Sequence, residues 1–448
     1  MRTLGFLLAG ALALGACGGN DASPTLIMGG GVGSGSIDGR VNVYVIDEDT
    51  GTAIANAMVR VGTINGTTDP NGLFTANGSL KGKQDVTAVA SGHVPTMWVG
   101  VDGANVTIPV KVSGTGTPTV PQAELDATLD GWGSFAPLAQ ADAVVGVVSY
   151  SQTTDFGAAE NNIPQPAGPV PQLPGITGNM CIKAQTVSPT CAPKVNSRTG
   201  SVALVATIAD VNFNGTTDTS DDVYTVLGYA AKTGITVDNG VNQTGLELTQ
   251  IAAGDTVNGT VGFGTPPASL TTVTGLVGLD LGTQGVAFVA APLRPNANKV
   301  LLPAASGLSG LTYRVVATAA TSSTDNDTES LILKHGITDP TTIDVGTWMA
   351  LPTGITANGD TMSFSGVTNG VIEGFDIIGA SGDTAWSVSI FDGSTSATVP
   401  TDLAPIPSGT NTLKVTAIAA TLDVNNFNLA DKFDLVNALS SDKITFTK

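Results

Sequence analysis

Charge is scarce in this sequence. Only 12% of its 448 residues are Asp, Glu, Lys or Arg, and 18 Lys plus Arg stand against 37 Asp plus Glu. The resulting net charge of −19 repels phosphate backbones, so nucleic acid is excluded as a partner. Aromatic residues make up 5% of the chain and there are 2 histidines, His93 and His335, which leaves little material for ring stacking or imidazole catalysis. Neither His-Glu-x-x-His nor Gly-x-Ser-x-Gly nor Gly-x-x-x-x-Gly-Lys occurs, so the common zinc, serine and phosphate-loop chemistries have no motif here. No apolar run reaches the roughly 18 residues of a spanning helix. What is abundant is Gly (56) and Pro (24), a bias toward turns that excludes a coiled coil or long helical bundle. These features predict a protein that is not an enzyme. A carboxylate pair for glycoside hydrolysis is the one catalytic alternative that an acidic chain always leaves open.

Arg2 precedes an apolar run over 4–16, too short to span a bilayer but suited to the core of an export signal. The run ends in Leu14-Gly15-Ala16-Cys17, which resembles the lipobox of bacterial lipoproteins. The resemblance implies a signal peptide over 1–16 and a lipid on the Cys17 sulfur, with an acyl group such as palmitate on its amine. Gly18, rather than Asp, follows the cysteine, so the resemblance implies outer-membrane placement, periplasmic or surface-exposed. Residues 17–35 then form the anchor and a Gly- and Ser-rich tether, with a flexible reach of about 20–25 Å. With Cys17 consumed by lipid in an oxidising compartment, Cys181 and Cys191 most simply form one disulfide across a short loop. A metal site, short of nearby histidine, and free thiols are the alternatives.

From Ser36 the pattern alternates with period two, as half-buried strands do. Val41, Val43 and Val45 share one face. Asp47-Glu48-Asp49-Thr50-Gly51 and Thr68-Asp69-Pro70-Asn71-Gly72 read as turns, and Val106, Ile108, Val110 and Val112 share the face of a last strand. Pro109 in that strand donates no ladder hydrogen bond, which predicts a sheet edge. The succession Gly39, Asp47, Thr50, Gly51, Ile54, Ala57, Val59, Thr68, Asp69, Gly72, Phe74, Val86, Ala88, Ala90 and Gly92 resembles the carboxypeptidase regulatory-like domain. The resemblance covers 36–113 and implies a transthyretin-like β-sandwich, often described as a carbohydrate-binding-like fold, that accompanies other activities and lacks catalysis of its own. His93 follows that motif and reads as a packed or turn residue, and His335 as a surface turn.

Gly and Pro over 113–122 mark a linker, and strand-like runs recur at 143–150, 202–208, 285–291, 311–317, 385–391 and 413–419. The expected fold is all-β: the N-terminal sandwich, then one or two further β-sandwich-like domains, drawn as 123–300 with the disulfide and 301–448 at the C-terminus. Five prolines between 162 and 175 predict an extended polyproline stretch. One helix is predicted over 429–439, capped by Asn428, with Leu429, Phe433, Val436 and Leu439 on one face.

Two loops carry possible metal chemistry. Asp210, Asn212, Asn214, Thr216, Asp218 and Asp221 hold the oxygen-bearing positions of a twelve-residue loop with Gly215 at its sharp turn, which resembles the calcium loop of EF-hand and dockerin modules. A solvated turn is the alternative. Asp423, Asn425, Asp431 and Asp434 repeat the spacing without the glycine. Calcium is the only cofactor these residues imply. For sugar binding, Trp98, Trp132, Trp348 and Trp386 are the candidates, with Tyr44, Tyr150 and Tyr224 behind them. Trp132, between Gly131 and Gly133, is the best candidate for an exposed platform, and even there core or hinge packing is the favoured reading. The expected role is non-catalytic binding or scaffolding at the bacterial surface, held to the membrane by the lipid anchor. Its partners would be envelope polysaccharide or surface proteins. A carbohydrate-binding protein and an extracellular hydrolase with an unrecognised acidic site are the rival functions.

Overall fold

Short runs of alternating Val, Ile and Thr separated by Gly, Asn and Asp form strands and tight turns, because the branched residues pack on a pleated surface and the others supply turn geometry. The computed structural model describes residues 36–48, 51–114, 123–151, 178–183, 190–197, 200–216, 222–238, 240–289, 292–322, 327–421 and 436–448. With 60% strand and 3% helix, the fold is all-β. The described residues divide into two units. One lies within 119–324 and 332–347, the other within 2–118, 325–331 and 348–448.

The second unit begins with β1 (Asp38–Asp47), β2 (Met58–Val61), β3 (Ile64–Thr67), β4 (Leu73–Lys81), β5 (Gln84–Val89), β6 (Thr96–Val101) and β7 (Asn105–Val110). Strands β4-β1-β7 form one sheet, and β3-β2-β5-β6 are neighbours in another. β1 runs parallel to β7, with Val43 beside Val106 and Val45 beside Ile108. Val41, Val43, Val45, Val59, Val61, Val86, Ala88, Val106 and Ile108 are no more than 1% exposed, so the alternation read from the sequence does point these residues into a sandwich core. β7, which carries Pro109, is an edge strand.

The first unit holds β8 (Ala123–Leu129), β9 (Ala143–Tyr150), β10 (Gly178–Lys183), β11 (Lys194–Ser197), β12 (Gly200–Asn212), β13 (Val223–Val237) and β14 (Gln243–Gln250). They make one sheet in the order β10-β9-β12-β13-β14-β8-β11, wrapped around Leu125, Trp132, Val148, Leu204, Ile208 and Leu248. It continues with β15 (Thr256–Gly262), β16 (Thr272–Asp280), β17 (Val286–Phe288), β18 (Lys299–Pro303) and β19 (Thr312–Ala320). The serial boundary drawn at residue 300 falls inside β18, which pairs with β15. Of β20 (Glu329–Ile337), residues from 332 belong to this unit, as does β21 (Ile343–Asp344).

The chain then completes the second unit with β22 (Thr353–Asn358), β23 (Thr361–Ser365), β24 (Ile372–Ile378), β25 (Thr384–Ile390), β26 (Ser396–Thr398), β27 (Thr410–Ala420) and β28 (Val436–Thr447). β25 pairs in parallel with β6, Val388 beside Met97 and Ile390 beside Val99. Met97 and Val99 share a core with Phe375, Trp386, Val388 and Ile390. The N-terminal module and the C-terminal strands are therefore parts of one unit rather than separate serial domains. The physical cause is that both faces of β6 are apolar and both are covered.

The helix expected over 429–439 is corrected where it can be seen. Val436 and Leu439 lie in β28, paired with Ala420 and Ile418 of β27, so a long antiparallel ladder overrides the helical spacing. Residues 428–435 and the proline-rich stretch 162–175 lie outside the described residues.

Candidate functional site

The motif residues of the N-terminal module hold turns. The Thr68 hydroxyl donates to the Ile54 carbonyl at 2.6 Å and accepts the Ala57 N–H at 2.9 Å. Asp69 Oδ1 accepts from the N–H groups of Asn71 and Leu73 at 2.8 and 3.0 Å, an Asx turn. Gly72 has φ +71°, and a Cβ there would stand 2.6 Å from the Val45 carbonyl oxygen, so only glycine fits. The fold also brings together two motif regions far apart in sequence. His93 Nε2 lies 3.1 Å from Asp47 Oδ2, and its Nδ1 lies 2.9 Å from the Ser91 carbonyl oxygen. Both ring nitrogens are engaged, so His93 clamps the end of β1 to the 91–93 turn and has no nitrogen left to act as a base or metal ligand. His335 is half-buried within β20, a strand residue rather than a turn.

Cys17 lies outside the described residues. Cys181 and Cys191 are joined by a disulfide, so the free-thiol and metal readings of that pair fall.

Asp210 and Asn212 end β12, and β13 returns antiparallel beside it. The possible calcium loop thus connects two antiparallel strands, and the chain from Val223 is strand rather than helix. Asp210 is 3% exposed and its Oδ1 accepts the Leu138 N–H at 2.8 Å. Burial holds its carboxyl above the ordinary range, with the adjacent Asp142 adding to the rise against that hydrogen bond. Asn212 Oδ1 accepts the Asn214 N–H at 2.8 Å, and the left-handed Asn214 and Gly215, at φ +51° and +70°, turn the chain toward Thr216. Asp218 and Asp221 lie outside the described residues, as does the second loop with Asp423, Asn425, Asp431 and Asp434. Among the described residues no group of three or more His, Cys, Asp or Glu gathers for a metal. Asp142, which the sequence did not single out, is the carboxylate brought to Asp210.

Of the two readings of Trp132, the structure shows the favoured one, core packing. Trp132 is 1% exposed and packs in the core of the first unit, with the Gly146 backbone close beneath it: a Cβ there would lie 2.9 Å from the indole. Gly131, at φ +68°, turns the chain inward, so this glycine serves burial rather than display. Trp98, Trp348 and Trp386 are 3%, 7% and 0% exposed. Trp386 donates its indole N–H to the Ala404 carbonyl at 3.1 Å, and Trp98 meets Phe391 edge-on. No tryptophan offers a face for a sugar ring.

The least expected cluster is a row of buried charge in the second unit. Ser387, Asp376, Lys414 and Lys443 stand opposite one another across β25, β24, β27 and β28. Lys443 Nζ is 2.8 Å from Asp327 Oδ2, and Lys414 Nζ is 3.4 Å from Asp327 Oδ1. Asp376 and Lys414 are 2% and 1% exposed. Burial pushes the Asp376 carboxyl up to about 6, with the Ser387 hydroxyl and the charges of Lys414 and Lys111 limiting the rise. Burial also acts to raise Asp327, but Lys443 and Lys414 outweigh it and hold that carboxyl below its ordinary value. Asp376 and Lys414 are enclosed, while Asp327 and Lys443 keep 25% and 31% of their side-chain surface exposed; the chemistry of the row is mutual neutralisation. Its sequence signal was a single charge inside apolar alternation, Phe375-Asp376-Ile377 and Leu413-Lys414-Val415, which reads as an ordinary solvent face.

No family model matches the chain, and no curated protein matches it. Among solved structures, the Bacillus anthracis TIE protein is 12% identical, covering 68% of this chain and 49% of its own, with a TM-score of 0.14. The Streptococcal ancillary pilin is 11% identical, covering 47% and 61%, with a TM-score of 0.17. A Ca2+-stabilised adhesin with which an Antarctic bacterium binds ice is 12% identical, covering 92% and 99%, with a TM-score of 0.12. This chain thus spans about half of the first protein and 61% of the second. Likeness at this level carries no conclusion about what the chain binds.

Proposed function

We propose that this is a lipid-anchored cell-envelope protein of the bacterial outer membrane whose β units bind or scaffold without catalysis. The observation that carries the reading is Leu14-Gly15-Ala16-Cys17 ahead of units in which ionisable side chains are engaged in holding the fold, as His93 is by Ser91 and Asp47. Within it, 36–113 serves as a carboxypeptidase regulatory-like module, supported by the turn roles of Thr68, Asp69 and Gly72. The 210–221 loop is the candidate calcium site, supported by the second carboxylate, Asp142, beside Asp210.

Metabolic labelling with palmitate tests the anchor: the full chain incorporates label and sediments with outer membrane, and Cys17→Ser abolishes both. Soluble wild-type chain without label overturns it. Crosslinking on intact cells then identifies what the anchored chain touches. A stoichiometric protein supports scaffolding, retained polysaccharide replaces it with sugar binding, and turnover of glycans or peptides by the full chain refutes the non-catalytic reading. For calcium, a melting temperature unchanged by EDTA removes the site.

A further inference from the structure

The seven-stranded sheet of the first unit has two end strands, β10 and β11, and no ladder joins them among the described residues. They nevertheless meet. Cys181 in β10 and Cys191, just before β11, have Cα atoms 5.7 Å apart and share the disulfide. The disulfide thus links the two end strands of the sheet, where no ladder joins them among the described residues. Each end strand is also secured on its inner side. β10 pairs with β9 from Gly178 to Lys183. On the other side the Cys191 carbonyl accepts the Leu129 N–H at 2.9 Å, the Pro193 carbonyl accepts the Ala127 N–H at 3.1 Å, and β11 pairs with β8. The opposite corner, β13 to β14, is held by the pairs Ala230–Gln250 and Ala231–Thr249.

We propose that this disulfide is a reducible clasp: breaking it opens the β10–β11 seam while the strands on either side, and the core between them, stay folded. Cys191 is 1% exposed within the core and Cys181 is half-buried against it, so the Cys181 sulfur is the one a reductant reaches. A thiolate of a dithiol reductant attacks that sulfur, the S–S bond breaks, and Cys191 leaves as a thiolate and takes up a proton. The reductant's second thiol then displaces Cys181, which also becomes a thiol, and the reductant departs as its own disulfide. Reoxidation by a disulfide of comparable potential reverses each step and recloses the seam.

Hydrogen–deuterium exchange on the full chain tests this, comparing the oxidised protein with protein reduced by dithiothreitol after folding. Alkylation of two new thiols verifies complete reduction. Amides of β10 and 190–197 should exchange on the order of a hundredfold faster once the loop constraint is gone, while β12 and β13 keep their protection, and reoxidation should restore the original pattern. A Cys181→Ser, Cys191→Ser variant, if it folds, should match the reduced protein. Loss of protection across β12 and β13 together would show that the bond holds the whole unit rather than a seam. Unchanged exchange at β10 and 190–197 after full reduction would show that it clasps nothing. Either result overturns the proposal.

Discussion

Replacing Asp376 with Asn removes an ionisable group from the buried row without removing its shape. The carboxyl's ordinary value is 3.8 and burial lifts it to about 6. The folded chain therefore keeps the Asp376 proton through a pH interval in which the unfolded chain has already released it. Stability from this group is complete below pH 3.8 and is lost as the pH rises through about 6. At about 1.4 kcal/mol for each pH unit, an interval of about 2 units corresponds to roughly 3 kcal/mol lost by pH 7. An amide is neutral throughout, so Asp376→Asn should be close to wild type near pH 4 and more stable by about 1–3 kcal/mol near pH 8. The lower end of that range allows for what Lys414 and Lys111 lose in a neighbouring charge. Urea titrations across this pH range, followed by the fluorescence of Trp98, Trp348 and Trp386, report on the second unit, because all three lie in it. A difference that does not change with pH, or a variant less stable than wild type at pH 8, would refute the reasoning. Either would mean that the carboxylate is ionised and held by its lysines.

Three further outcomes follow from the packing. Trp132→Ala should lower the stability of the first unit by about 3–5 kcal/mol through cavity formation, measured by thermal melting, and should leave any glycan retention by still-folded protein unchanged. Asp327→Ala removes the carboxylate facing the buried Lys414 and should cost about 3 kcal/mol. Adding Lys414→Met should recover part of that loss in a double-mutant cycle, and additive losses would sink the idea of a shared network. In the wild type, the stabilisation from the depressed Asp327 carboxyl is present above pH 3.8 and fades as the pH falls below it. Gly374→Ala places a Cβ 2.2 Å from the Val388 carbonyl oxygen and should destabilise the β24–β25 ladder by about 3 kcal/mol, visible as a lowered melting temperature or loss of soluble protein.

What the sequence alone determined was local. Period-two alternation placed Val41, Val43 and Val45 on a buried face, Pro109 marked an edge, and the turn chemistry of Thr68, Asp69 and Gly72 was legible because it operates between near neighbours in the chain. The disulfide was legible as well, since two cysteines separated by 10 residues leave few choices. Tertiary structure alone decided which strands pair across long stretches of chain. Nothing near Thr96 announces that β6 will take β25 as its partner, and nothing near Val436 announces that β27 will draw it into a strand. Burial was likewise decided at a distance. Trp132 between glycines leaves display and core packing both open until the fold sets it in the core over Gly146, and Asp376 and Lys414 look like a solvent face until the fold covers them. The reason is that alternation specifies only that a side chain lies on one face or the other. Which face is covered, and by what, depends on elements that arrive from elsewhere in the chain.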